Sequence, residues 1–468
     1  MREKTVEGST KKEINLGEGN VGRLLFRLAL PAITAQVINL LYNLVDRMYI
    51  GHLPETGADA LTGVGVALPV ILAISAFAYL FSAGGAARAS IMMGKKKKDE
   101  AERIMGNCAA ALILAALALT VFFQVFGRDI LMIFGASTRT IDYAWNYMQI
   151  YSLGTLFVQI ALGLNNFINA QGYAVMGMLS VIIGAGTNII LDPVLMFGFD
   201  MGVQGAALAT IISQGLSAVW ILIFLCSRRS FLHLRMRNFR ISGKVLAPCI
   251  ALGASPFVMQ FTESILNLCF NISLKTYGGD PAVGVMAVLS SVMQFALLPI
   301  MGMTQGAQPI ISYNYGAGKL ERVKQAFRSL LKCSVIYSVT LWALAMLFPQ
   351  LFMGMFTTDT NYIAMGTWSM RVYAAAICVM GVQYACQQTF VALGNAKTSL
   401  WLALLRKVFL LIPLIFILPH VITGNQVFAV FLAEPVADVT AATTTAILFF
   451  RYMRKTLNGK TQEGGHET

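Results

Sequence analysis

The chain has 468 residues, 57% of them hydrophobic and 12% charged, where a soluble domain carries roughly a quarter charged residues. That composition excludes an ordinary soluble globular protein. The formal net charge of +13 by itself suggests a nucleic-acid or membrane partner, and the placement of the basic residues decides between them.

Apolar runs of about 20 residues, each long enough to cross a ~30 Å hydrocarbon core as a helix, recur along the whole length. In lipid only helices or closed barrels satisfy their own backbone, and these runs are continuous rather than alternating, so the pattern predicts helices. Twelve candidate spans begin near Leu24, Ala60, Ile104, Ile141, Ala174, Gly202, Val245, Ala282, Val323, Tyr362, Thr398 and Gln426. The fold class is therefore an all-α polytopic membrane protein. Residues 1–22 are polar and charged, with no apolar core, so no signal peptide is expected before the first span. The tail over 456–468 is polar and expected to be disordered.

Lys and Arg fall on alternate connections. One set holds "GKKKKDEAER" from Gly94, "SRRSFLHLRMRNFR" from Ser227, "GKLERVKQAFR" from Gly318 and "RYMRK" from Arg451; the other set holds little beyond Arg47, Arg128, Arg139 and Lys275. The rule that basic loops stay inside then predicts two cytoplasmic termini in the plasma membrane. It also explains the net charge through topogenic loops beside anionic membrane lipid, with no nucleic acid needed.

The two halves repeat at an offset of 222 residues. "YMQIYSLG" with "NNFINAQGYA", from Tyr147, parallels "SMRVYAAA" with "QQTFVALGNA", from Ser369. The expected division is an N-lobe over 23–226, a basic linker over 227–244 and a C-lobe over 245–455. Two six-helix lobes related by a pseudo-two-fold axis suit a secondary transporter that rocks about a central cavity. No phosphate-binding loop is present, because "GAGKLE" at Gly316 has Leu320 where Ser or Thr must bind magnesium. The seven cysteines form no CxxC pair and the four histidines no metal-ligand spacing. A membrane-embedded enzyme would need a nucleophile, histidine or metal constellation, and none is visible, so no catalytic residue and no cofactor are expected.

Polar residues inside the spans are the functional candidates. In "NIILDPVLMFG", Asp192 has two readings: an N-cap with Pro193 at the first helical position, or a functional intramembrane acid, costing at least ~3 kcal/mol near the bilayer centre. Asn188 lies one turn earlier on the same face. Counted at 1.5 Å per residue, Asp46 and Asp192 both sit roughly 27 Å up from the basic side, and Thr210 comes about 10 Å down from the other side, near the same level. Carboxylate, amide and hydroxyl oxygens suit a hard cation such as sodium, while two close carboxylates also share a proton readily. The 222-residue offset puts Leu414 opposite Asp192 and Leu432 opposite Thr210, so the second half lacks this set. There Glu263 is expected to contact cation or substrate, while Glu434 and Asp438, beside a helix-breaking Pro435, have Arg371, Arg406 and Lys407 as expected ion partners, either as a functional cluster or as a buried structural network. Gln36, Asn39, Tyr42, Asn43, Gln159, Asn165, Asn166 and Asn169 are expected to face the cavity, although single polar residues in spans often join helix to helix instead.

"LYNLVDRMYIG" from Leu41, "NIILDPVLMFG" with "GAALATIISQ", and "QPIISYNYGAGKLERVKQA" together resemble the multidrug and toxic compound extrusion (MATE) family, in its MepA-like and DinF-like bacterial branches. The resemblance covers about Asn20 to Arg454. It implies twelve helices in two lobes forming a V, exchange of sodium or protons for small amphipathic organic cations, and a cation site at Asp46, Asn188, Asp192 and Thr210. Some members of that family are similar in carrying a functional carboxylate where Glu263 stands. A monomer is expected. The alternative is a flippase for lipid-linked precursors, of similar fold, which a cavity rich in Arg and Lys would favour; here the first half is acidic.

Overall fold

The computed structural model describes residues 15–54, 56–355 and 360–457. Of the tail expected to be disordered over 456–468, residues 458–468 lie outside that set, as do residues 1–14, whereas 456 and 457 are corrected: they belong to a π-helical turn, Met453–Leu457. Among the described residues the chain is helical, with no strand.

The first half runs α1 (Val21–Gly51), α2 (Gly57–Gly94), α3 (Lys98–Ile133), α4 (Ile141–Leu153), α5 (Thr155–Ala170), α6 (Ala174–Pro193) with a π-helical turn over Val194–Gly198, and α7 (Gly202–Cys226). The second half runs α8 (Gly243–Gly316), α9 (Leu320–Leu347), α10 (Pro349–Gly354), α11 (Thr360–Tyr373), α12 (Ile377–Ala392), α13 (Ala396–Leu404), a π-helical stretch over Leu405–Leu411, α14 (Ile412–Val421) and α15 (Gln426–Tyr452). The 74-residue α8 is two crossings, because Gly279 has φ +66 and turns the chain before Pro281; that left-handed backbone favours glycine. α4 and α5 bend by 59° at Gly154 and form one crossing, as do α11 and α12, bent by 45° around Ala374–Ala376. Among the described residues, the nine long apolar helices, the two bent pairs and the doubling of α8 make the twelve crossings that the sequence predicts.

Element ends repeat at the offset found in the sequence. α2 and α8 end at Gly94 and Gly316, and α3 and α9 start at Lys98 and Leu320. α5 and α12 end at Ala170 and Ala392, and α6 and α13 start at Ala174 and Ala396. Each of these pairs is 222 residues apart, so two lobes of one architecture follow from a duplicated pattern rather than from coincidence of length.

Packing joins the lobes near the end that carries the basic segments, called here the basic end. Gly84 of α2 meets the backbone at Cys249 on the first limb of α8, and Gly253 meets the backbone at Leu80. Gly302 and Gly306 on the second limb take the backbone of α1 at Ile33 and Ala29. Glycine permits such approaches because a Cβ would overlap the facing main chain. Before α1, the segment Asn15–Gly19 crosses onto the second half. Leu16 is buried in its core, Asn314 donates to the Leu16 carbonyl (2.9 Å), and Arg322 donates to the carbonyls of Gly19 (2.8 Å) and Glu18 (3.0 Å).

Two local expectations are corrected. Asp192 caps no helix: α6 continues through Pro193 into the π turn, where Phe199 N–H bonds to the Val194 carbonyl. The missing proline N–H shifts the ladder to wider bonds instead of restarting it. Pro435 likewise does not break α15, which runs unbroken from Gln426 to Tyr452.

Candidate functional site

In the first half, α1, α6 and α7 bring together the four residues singled out in the sequence. Asp46 (8% exposed), Asn188 (1%), Asp192 (0%) and Thr210 (8%) are all buried. One helical turn places Asn188 over Asp192, and its Nδ2 donates to Asp192 Oδ1 at 3.0 Å. The same nitrogen lies 3.5 Å from Thr210 Oγ1, which ties α6 to α7. The carboxyls of Asp46 and Asp192 lie within interaction range of each other. Asp46 Oδ1, Asp192 Oδ2 and Asn188 Oδ1 are buried and accept no hydrogen bond from any protein group.

That last point defines the chemistry. Buried acceptors are nearly always satisfied, and an unpaired one costs about 1–3 kcal/mol. Three buried acceptors on neighbouring residues with no donor describe a place for a proton or a hard cation. Arg47, next in the chain to Asp46, is exposed and makes no ion pair among the described residues. The donor set of two carboxylates, an amide and a hydroxyl fits an oxygen-seeking monovalent ion as well as a shared proton.

A narrow, partly open cleft adjoins this cluster, lined among others by Asn39, Tyr42, Asn165, Asn188, Thr210 and Gln214. Of the expected cavity residues, Asn39, Tyr42 and Asn165 therefore line it. Asn166 and Asn169 line a second cleft, between the halves, and the rest make helix contacts. Gln159 is fully buried and donates to the Ile74 carbonyl (2.7 Å), joining α5 to α2 rather than facing a cavity. The carbonyl of the neighbouring helix thus satisfies its NH2 group, a polar helix-to-helix contact inside the bundle. Asn43 donates to the Asn39 carbonyl one turn back. Gln36 reaches across to Gln305 at 3.4 Å, joining α1 to the second limb of α8. Asn166 donates to Ser82 Oγ (2.8 Å) and, with Asn169, borders that second, smaller cleft beside Gln305 and Gln308.

Sequence reasoning passed over Tyr147, Tyr151, Ser213, Gln214 and Ser217. Tyr147 is buried beside Thr210 and Asp46 and stacks on Tyr151 with centroids 6.1 Å apart. Gln214, next to Tyr42, lines the cleft with Ser213 and Ser217. The available signal was the polar i, i+4 pair Ser213 and Ser217 on the face of Thr210.

The second half is built differently. Arg406, in the π-helical stretch, donates to Asp438 (2.6 Å) and Glu434 (3.4 Å), and Lys407 to Glu263 (2.7 Å). Arg371 is corrected: it is exposed and donates to the Met346 carbonyl, away from these acids. Glu263 is half-exposed, whereas Lys407 is buried. Each of the three acids has a basic partner, in contrast to Asp46 and Asp192.

The chain is similar to known proteins over nearly its whole length. The family model MatE matches residues 31–194 and 256–417, one segment in each half. The chain is 26% identical over 429 residues to the multidrug export protein MepA of Staphylococcus aureus, covering 90% of this chain and 92% of that one. It is similar in fold to a MATE crystal structure in the bent conformation, with TM-score 0.89, 22% identity, and coverage of 97% and 100%. It is also similar to the outward-facing conformation of a multidrug resistance MATE family transporter of the MOP superfamily, with TM-score 0.88, 22% identity, and coverage of 96% and 99%.

Proposed function

Because the chain belongs to the MatE family of multidrug transporters, we propose that it exports small amphipathic organic cations in exchange for sodium ions or protons, with Asp46, Asn188, Asp192 and Thr210 holding the coupling ion. The observation that carries this reading is the set of three buried oxygens, on Asp46, Asn188 and Asp192, that no donor satisfies. Tyr42, Asn39, Asn165 and Gln214 offer the organic cation an aromatic and polar wall next to the two acids. A cationic substrate and the coupling ion then compete for the same negative charge, and linkage makes each weaken the other's hold.

In the cycle, the state with the basic end closed takes up the coupling ion and releases substrate. The loaded molecule then rocks about the packed ends of α1, α2 and α8. The unit boundaries are an N-lobe over 23–226, a linker over 227–244 and a C-lobe over 245–455. The basic end faces the cytoplasm, both termini are inside, the location is the plasma membrane and the working unit is a monomer. A flippase for anionic lipid-linked precursors fits less well, since the open charges of the first-half site are carboxylates.

The test is efflux of a fluorescent organic cation from proteoliposomes with sodium and pH gradients imposed separately. Export that responds to neither gradient removes the exchange reading.

A further inference from the structure

The stretch between α7 and α8 is held as a fixed platform rather than left as a loose tether. Gln171 Oε1 accepts from Ser230 Oγ (3.0 Å) and the Leu232 N–H (2.8 Å), and Leu232 is fully buried. Glu102 Oε1 accepts from the His233 N–H (3.1 Å), and its other oxygen faces Arg235 Nε at 3.2 Å. Asn107 takes the Ser242 N–H (2.8 Å) on its oxygen and donates to the Asn238 carbonyl (3.3 Å). All six contacts come from the first half, from Glu102 and Asn107 of α3 and from Gln171 just after α5, so the platform moves with that lobe.

Its depth follows from α3. The apolar part of that helix starts at Cys108, next to Asn107, and Glu102 lies six residues before it, or about 9 Å. The platform thus spans the border of the hydrocarbon and the layer of about 5–8 Å occupied by headgroups.

Its outer face is cationic and apolar together. Arg228, Arg229, Arg237 and Arg240 are exposed, and none makes an ion pair among the described residues. No acid occurs in the sequence between Asp200 and Glu263. Met236 is 82% exposed and Ile241 47% exposed. The neighbouring run of four lysines differs, since Lys97 pairs with Glu100, and Lys98 approaches Glu102 and sits over the Phe231 ring.

We propose that this platform, Ser227–Ser242, is a docking surface for anionic phospholipid, with Met236 and Ile241 seated among the upper acyl chains and the four unpaired arginines on the headgroup phosphates. Guanidinium forks match phosphate oxygens two at a time, and an unpaired arginine at an anionic bilayer surface gains about fivefold in partitioning. The inference needs only that the chain spans a bilayer and is independent of which ion drives export.

The experiment places a single environment-sensitive fluorophore on Met236→Cys, in full-length protein otherwise free of cysteine. The protein is reconstituted in phosphatidylcholine vesicles with a trace of either brominated phosphatidylglycerol or brominated phosphatidylcholine. Preferential quenching by the anionic lipid is expected. It should vanish in R228Q/R229Q/R237Q/R240Q and persist in K95Q/K96Q/K97Q. Retained efflux in the fourfold variant shows that it is folded; if it misfolds, the four single variants should each weaken the preference severalfold. Equal quenching by both lipids overturns the proposal, as does a preference that survives removal of the arginines. Loss of the preference on adding inorganic phosphate would make this a free-phosphate site and overturn it as well.

Discussion

Gly94 at the end of α2 packs against the main chain of Tyr313, and Gly316 at the end of α8 packs against that of Ile91. Both the glycines and their partners are 222 residues apart, so one contact made twice closes the basic end. A methyl on either glycine would overlap a facing carbonyl oxygen. Overpacking of this kind costs typically 1–3 kcal/mol. In a two-state rocking cycle that changes the ratio of states roughly five- to a hundredfold, in favour of the state with the basic end open. Gly316→Ala and Gly94→Ala should each raise the rate at which a thiol reagent reaches Cys249, buried at the lobe interface against Gly84, in a variant retaining that cysteine alone. Unaltered labelling would separate the glycine contacts from the conformational balance.

Asp192 accepts from Asn188 with one oxygen and leaves the other unsatisfied. Asp192→Asn keeps the volume and removes the charge that a cation or proton would neutralise. Coupled export should fall to background while the amount of protein in the membrane stays within twofold. Asp46→Asn should behave in the same way, and the double variant should be no worse than either single one, because the two acids act as one site. Gradient-driven efflux that survives in Asp192→Asn would leave this residue a structural role only.

The ion pairs of the second half predict stability rather than coupling. Arg406 is 3% exposed and bonds Asp438 and Glu434, themselves buried. Removing one member of a buried pair strands the other and costs about 3–5 kcal/mol. Arg406→Met should therefore lower the thermal unfolding midpoint strongly. Glu263→Gln should lower it less, because the amide oxygen that replaces the carboxylate can still accept from the buried Lys407. Melting curves in detergent, read alongside efflux, compare the two.

The lobes were legible in the sequence because a bilayer leaves few choices: length fixes each crossing, and a repeated pattern fixes the partner half. The four residues around Asp192 were legible because carboxylates inside apolar runs stand out, and because one helical turn and a shared depth bring them together. Direction around a helix was harder to read. Arg371 and Gln159 sit in the right spans, yet their side chains point to Met346 and Ile74, which no count along the chain reveals. Tyr147 went unnoticed because an aromatic residue in a span reads as packing. The π segments at Val194 and Leu405 were hidden too: neither a proline nor a run of leucines states whether the ladder breaks or widens.

The driving ion turns on Thr210. Its hydroxyl lies 3.5 Å from Asn188 Nδ2 and beside Tyr147, on the one helix of the site that approaches from the far side of the membrane. A sodium ion needs several oxygens around one point, and Asp46, Asp192 and Asn188 supply three without partners. The Thr210 oxygen would be the fourth. A proton needs no such cage, because two neighbouring carboxylates hold one between them. Thr210→Val preserves shape and deletes only the oxygen. If sodium drives export, the concentration for half-maximal rate should rise at least about tenfold, since tenfold is about 1.4 kcal/mol and a lost bond to a charged group costs about 1.5–3 kcal/mol. If protons drive it, export under a pH gradient without sodium should be unchanged within twofold. Normal export by Thr210→Val at limiting sodium rules out the four-oxygen cage and leaves the shared proton as the coupling species.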